Sequence, residues 1–219
     1  MADDNQSPEL FGQTPSQTVG PFFHYGLAWK GGADLVGADP IGARTDLFPE
    51  ENYKLNVSKP RGAVSGETII VEGCVTDAAG APVSDAMIEI WQANSAGRYA
   101  SPDDARNEIP LDEGFIGFGR SSTTDDGLFH FRTVRPGPVP GPGNSLQAPH
   151  IAIGVMGRGL IKRLVTRLYF EDADANADDP ILALVPAERR HTLIARKQGD
   201  VWRFDIRLQG DDETVFFDV

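Results

Sequence analysis

One cysteine, Cys74, is all the chain possesses, so no disulfide can close within it and packing alone must hold the fold. Cys74 lies in an apolar run, which makes a buried thiol the expectation. Long hydrophobic stretches are missing as well. No run approaches the roughly 20 apolar residues that span a bilayer. The opening MADDNQSPEL has neither a basic leader nor an apolar core, so a soluble cytoplasmic protein is expected. Positive charge is scarce: 20 Lys and Arg face 32 Asp and Glu, a net of −12. Neutralising phosphates takes clustered cations, which excludes nucleic acid as a partner. Histidine is scarce too. His24, His130 and His191 each lack a ligand-like neighbour two to four residues away, so each reads as a surface or satisfied structural residue.

What is abundant is punctuation. Twenty-four Gly and 16 Pro separate apolar runs only a few residues long, which favours short strands over long helices. Strands are expected over residues 68–75, 85–92, 128–132, 148–156, 164–170 and 201–209, with turns at 77–80, 94–97 and 125–127. Strands so spaced, without intervening helices, predict an all-β fold: an antiparallel β-sandwich with an irregular N-terminal arm and one or two short helices. One helix is expected within 180–197, with Arg189, Arg190, Arg196 and Lys197 near its end, in keeping with the helix dipole. Residues 1–64 form the arm and its connection, and 65–219 the sandwich domain. In the arm Phe22, Phe23, Tyr25 and Trp29 crowd together after Gly20-Pro21. They can pack on their own core or cross onto a partner, where aromatic anchors are typical. Residues 30–64 read as irregular connection.

The stretch from 119 to 159 is the most informative. Pro136, Pro138, Pro140 and Pro142 alternate with Gly137, Gly141 and Gly143, predicting a rigid, unpaired loop. After it Ile151, Ile153 and Val155 share one strand face, and His150 and Ala152 the other. A strand bearing His-x-His can aim two imidazoles at one metal, but Ala152 has nothing to coordinate with.

VEGCVTDAAGAPVSDAMIEIWQANSAGRY, residues 71–99, resembles the signature of the intradiol ring-cleavage dioxygenases at Val71, Gly73, Val75, Gly80, Val83, Ile88, Glu89, Ile90, Gly97 and Tyr99. The resemblance continues through FGRSSTTDDG, FRTVRPGP, RLYFED, WRFDIRLQGDDETVFFD and the arm segment TPSQTVGPF, so it covers nearly the whole chain. Iron-bearing members of this family hold a ferric ion with two tyrosines and two histidines, hard donors suited to that ion. The resemblance puts those four places at Asn107, Val139, His150 and Ala152, and puts a family arginine at Gln147. Tyr99 belongs to the signature but not to the ligand set. One donor in four remains, which implies that this chain binds no catalytic iron and that His150 is a hydrogen-bonded residue of a vestigial pocket.

The resemblance implies a different task. The family includes iron-free chains that pair with a homologous iron-bearing β subunit and help wall the cleft over its Fe(III). The residues matching that role are Gly20, Pro21, Phe22 and Arg158, with Phe22 standing where a tyrosine is usual. The implied substrate is a benzoate with two adjacent hydroxyls, and a guanidinium matches its carboxylate as a two-pronged donor. Gly157 and Gly159 on either side permit close approach. Without the family, Arg158 reads as a solvated turn arginine. Two other functions stay open: a stand-alone β-sandwich binding or scaffold module, and an independent dioxygenase with rearranged ligands.

Overall fold

The computed structural model of the chain describes residues 17–20, 32–36, 64–112 and 114–218. Eleven strands occur among them: β1 (Thr68–Thr76), β2 (Met87–Trp91), β3 (Phe118–Ser122), β4 (Leu128–Val134), β5 (Val139–Pro140), β6 (Leu146–Gln147), β7 (His150–Met156), β8 (Leu164–Phe170), β9 (Ile194–Gln198), β10 (Val201–Arg203) and β11 (Ile206–Arg207). Nine of them form one sheet, in which β4 and β10 flank β1 and the order then runs β9, β8, β7, β2, β3, with β11 beside the last part of β1. The fold is all-β, as expected, but the sheet is mixed and nearly closed rather than an antiparallel sandwich. β1 pairs in parallel with both β10 and β11, and β8 in parallel with β9. A parallel pair needs a crossover, and between β8 and β9 three 3-10 helices, Asp174–Asp178, Leu182–Leu184 and Ala187–Leu193, supply it. Alternation along one strand reveals its buried face but not the direction of its neighbour.

The sheet is nearly closed by a segment that sequence reading took for irregular connection. Gly32 to Val36 lies against both β3 and β4. The Arg120 N–H donates to the Gly32 carbonyl (3.0 Å), the Arg132 N–H to that of Ala33 (2.8 Å), and the Leu35 N–H to that of Arg132 (2.8 Å). Ala33 and Leu35 are buried in the main core. Two apolar residues astride Asp34 are too short a pattern to register as a strand.

That core lies inside the curve of the sheet. Val71 and Val75 of β1, Ile88 and Ile90 of β2, Phe129 and Phe131 of β4, and Ile151, Ile153 and Val155 of β7 are all essentially inaccessible to solvent. Burying each such side chain contributes about 1.5–3 kcal/mol before conformational entropy is subtracted. Cys74 is not among them. It takes an outward place on β1, half-buried, because the alternation assigns Val71, Gly73 and Val75 to the inner face. Burial pushes its thiol pKa up, with Asp205 nearby adding to the shift.

Two further expectations are corrected. The proline loop is paired, since β5 and β6 form a small antiparallel ribbon in which Val139 faces Gln147 and Pro140 faces Leu146. Proline can occupy such an edge because its missing N–H points away from the ladder. The helix expected within 180–197 is two separate 3-10 turns, and Arg196 and Lys197 belong to β9 instead. Arg190 keeps its place near a helix end, donating to the Val185 (2.8 Å) and Ala183 (3.1 Å) carbonyls. No helix among the described residues is long and apolar enough to cross a membrane.

The strand expected over 201–209 is broken at Phe204 and Asp205, and β1 shows why. The Phe204 N–H donates to the Glu72 carbonyl (2.8 Å), after which the Asp205 carboxylate, in place of a backbone carbonyl, accepts from the Cys74 N–H (2.8 Å). The Phe204 carbonyl turns in over Gly73, where a Cβ would lie only 1.8 Å from it and 2.5 Å from the Phe129 ring. Gly73→Ala is therefore expected to cost about 3 kcal/mol or more in urea unfolding, because backbone must shift to admit the methyl. A loss under about 0.5 kcal/mol, the range of ordinary surface substitutions, would show that the break accommodates a side chain.

Candidate functional site

β7 and β8 run antiparallel in a register that sets His150 opposite Tyr169 and Ala152 opposite Arg167. Directly opposed residues share a face, as do residues two apart on one strand. These four side chains therefore form a square on one face of the sheet. Trp91 of β2 extends it, lying opposite Ala152 from the other side.

A chain of hydrogen bonds runs behind the square. The Asp179 carboxylate, fully buried, accepts from the N–H groups of Ala148 (2.7 Å), Ile181 (2.9 Å) and Leu182 (2.7 Å) and from the Tyr169 hydroxyl (3.2 Å). Arg167 Nη1 donates to that hydroxyl (3.4 Å) and to Gln147 Oε1 (2.6 Å), and Gln147 Nε2 donates to the Pro140 carbonyl (2.7 Å). Burial pushes the Tyr169 phenol up to about 12, so it stays protonated and can donate to Asp179.

His150 is 5 % exposed, its ring 5.7 Å from that of Tyr169. Its Nδ1 lies 2.8 Å from the Ala148 carbonyl. Burial, reinforced by the Arg167 charge, lowers its pKa to about 4. The ring is thus neutral near pH 7, and its proton sits on Nδ1 to satisfy that carbonyl.

Next to the square opens a cleft of about 480 Å³ whose lining includes Trp91, Tyr99, Arg106, Val139, Pro140 and Gln147. Trp91 and Tyr99 stack, with centroids 5.6 Å apart and planes 14° from parallel. Asp104 fixes the loop beyond, accepting from the Tyr99 N–H (2.8 Å) and from Arg106 Nε (2.7 Å). The hydrogen bonds from Arg106 hold its carboxyl well below the usual range.

The places carried over from the intradiol family divide accordingly. Val139, Gln147, His150 and Ala152 come together at the cleft and the square behind it. Asn107 is exposed, its Oδ1 accepting from Arg98 (2.9 Å). Val139 and Ala152 carry no donor atom, Asn107 offers a neutral amide, and Arg167 brings a positive charge to the middle of the set. These residues do not fit a ferric ion, which needs several anionic or imidazole donors. Among the described residues no group of three or more His, Cys, Asp or Glu could hold a metal.

Arg158 and Gly20 belong to another place. Arg158 sits in the turn after β7, eight positions beyond His150, or roughly 25 Å along a strand at about 3.3 Å per residue. Its Nε is 2.8 Å from Asp85 Oδ2, an ion pair whose angles fall short of a hydrogen bond. The arm meets this turn: the Gly159 N–H donates to Thr18 Oγ1 (2.9 Å). Gly20 has φ +80° and open space where a side chain would be. Pro21, Phe22 and His24 lie outside the described residues. His130 is exposed on β4, and His191 is exposed with Nδ1 2.8 Å from the Glu188 carbonyl.

Sequence reading missed Arg167, Tyr169 and Asp179. The first two were legible only as members of an alternating strand. Their meeting with Ala152 and His150 depends on a register that one sequence does not state.

The profile of the Dioxygenase family matches residues 49–210. The chain is 44 % identical over 217 residues to the protocatechuate 3,4-dioxygenase alpha chain of Burkholderia cepacia, covering 94 % of this chain and 98 % of that one. It is 36 % identical over 185 residues to the protocatechuate 3,4-dioxygenase beta chain of the same organism, covering 80 % and 78 %. Its fold resembles the dioxygenase domain of a carbohydrate-binding fusion protein from Streptomyces sp. SirexAA-E, with a TM-score of 0.53, 24 % identity, and coverage of 90 % and 99 %.

The buried, neutral His150 has a consequence for stability. Its pKa falls from 6.5 unfolded to about 4 folded, so between those values the unfolded chain binds more protons. Stability is full above pH 6.5 and lost as pH falls toward 4, by an amount on the order of 3 kcal/mol from this residue. His150→Gln should flatten the unfolding free energy across that window relative to wild type. Parallel profiles for the two proteins would contradict the assignment.

Proposed function

Since the chain belongs to the intradiol ring-cleavage dioxygenase family, we propose that it is the iron-free α-type subunit of a protocatechuate 3,4-dioxygenase. The observation that carries this reading is the pairing of near full-length likeness to an alpha chain with a donor set unfit for iron. The reaction is insertion of O₂ between the two hydroxyl-bearing carbons of protocatechuate, giving 3-carboxy-cis,cis-muconate. The iron and the Lewis-acid chemistry it supplies belong to a homologous β partner.

What this chain contributes is binding and shape. Arg158 is held by Asp85 through Nε, and its two terminal nitrogens have no hydrogen-bond partner among the described residues. Its side chain is 56 % exposed and so can offer that fork outward to a carboxylate. It lies at the far end of β7 from His150, away from the chain's own cleft, which agrees with a place in a cleft completed by a neighbour. The Thr18 contact with Gly159 supports grouping the neighbouring Gly20 with this wall, and the family resemblance assigns Pro21 and Phe22 to it as well. Residues 1–64 serve as the interface arm and 65–219 as the domain, and the assembly works in the cytoplasm.

Purified alone, the chain is expected to show no ferric-tyrosinate colour and no protocatechuate turnover, and co-expression with an iron-bearing partner to restore both. A partner equally active without this chain would instead favour the scaffold reading. Arg158→Ala should raise the KM of the complex at least about tenfold, the value of one charge-assisted pair, with assembly intact. Unchanged kinetics would return Arg158 to the solvated turn.

A further inference from the structure

We propose that Arg167 actively denies a metal ion to this chain: its guanidinium is a fixed cation standing beside the position, Ala152, that a second imidazole would have to fill. On this reading the missing donors are only part of what keeps a metal from the square. The inference draws on the ligand places mapped above and not on the partnership with a β subunit.

Geometry carries it. Arg167 is directly opposite Ala152 in the β7–β8 register, so any ligand placed at 152 has its Cβ about 4.5–5.5 Å from that of Arg167. Trp91 is the neighbour of Ala152 on its other side in the β2–β7 register. The guanidinium is anchored by Gln147 Oε1 at 2.6 Å and the Tyr169 hydroxyl at 3.4 Å, and no carboxylate lies within ion-pair distance of it among the described residues. Asp179, the carboxylate reached through Tyr169, already accepts four hydrogen bonds and faces the backbone of Ala148, Ile181 and Leu182. The positive charge is thus left unneutralised toward the square. Arginine also keeps its proton at every working pH, so a metal cation cannot displace it as it would displace a proton from cysteine or histidine. Like charges a few ångströms apart in a half-buried site repel strongly.

The test uses the full-length chain and Co(II) as the probe, titrated by visible absorption. Ala152→His alone supplies a second imidazole two residues from His150, a minimal metal pair on one strand face. Ala152→His with Arg167→Gln is expected to bind Co(II) at least about tenfold more tightly than Ala152→His alone. Ala152→His with Arg167→Lys keeps the charge and is expected to stay within about threefold of the single variant. Near-UV circular dichroism checks the fold of each, and Arg167→Met replaces Arg167→Gln if the glutamine variant fails it, with the same gain expected. Equal Co(II) affinity with and without Arg167 overturns the proposal, and so does a lysine variant that binds as tightly as the glutamine one. Both outcomes are independent of whether the chain assembles with a dioxygenase partner.

Discussion

The Asp179 carboxylate, withdrawn entirely from solvent, accepts hydrogen bonds from Ala148, two residues before β7, from two successive N–H groups at the start of a 3-10 segment, and from a tyrosine of β8. A buried anion persists only if its lone pairs are used. Backbone donors and the Tyr169 hydroxyl use them here, and Arg167 donates to that same hydroxyl without an ion pair to the carboxylate. The crossover, the approach to β7 and the last part of β8 are thereby locked to one another. Because Arg167 also holds Gln147, the lock reaches the wall of the cleft.

The same strand carries two places with opposite tasks. At its start, His150 is buried, neutral and occupied by a backbone carbonyl. Past its end, Arg158 is exposed, tethered on one side and open on the other. The His150 end is filled with side chains that satisfy one another, and under the proposed function the far end faces a neighbour. The rigid sheet between them fixes the distance, since strands paired on both sides do not stretch.

Much of this was legible in the sequence, and the rest failed for identifiable reasons. β8 was read with its exact bounds, and β1, β4 and β7 to within two residues, because each is a short run rich in apolar, β-branched or aromatic residues. The incomplete ligand set could be counted from Asn107, Val139, His150 and Ala152 directly. Strand direction could not, which is why the parallel pairing of β1 with β10 and β11 came as a correction. The break at Asp205 was hidden because a side-chain acceptor replaces a backbone one without disturbing the alternation of Trp202, Phe204 and Ile206. Arg167 was the costliest omission. An arginine on an exposed-looking position of an amphipathic strand carries no mark of its role until a register places it across from an alanine.

The central claim is that iron chemistry in the assembled enzyme lies outside this chain. Anomalous diffraction at the iron absorption edge, from crystals of the chain assembled with an iron-bearing homologue, tests it most directly. The predicted map has its peak in the partner subunit and none near His150, Ala152 and Arg167. A peak of comparable height within bonding distance of His150 Nε2 would contradict it.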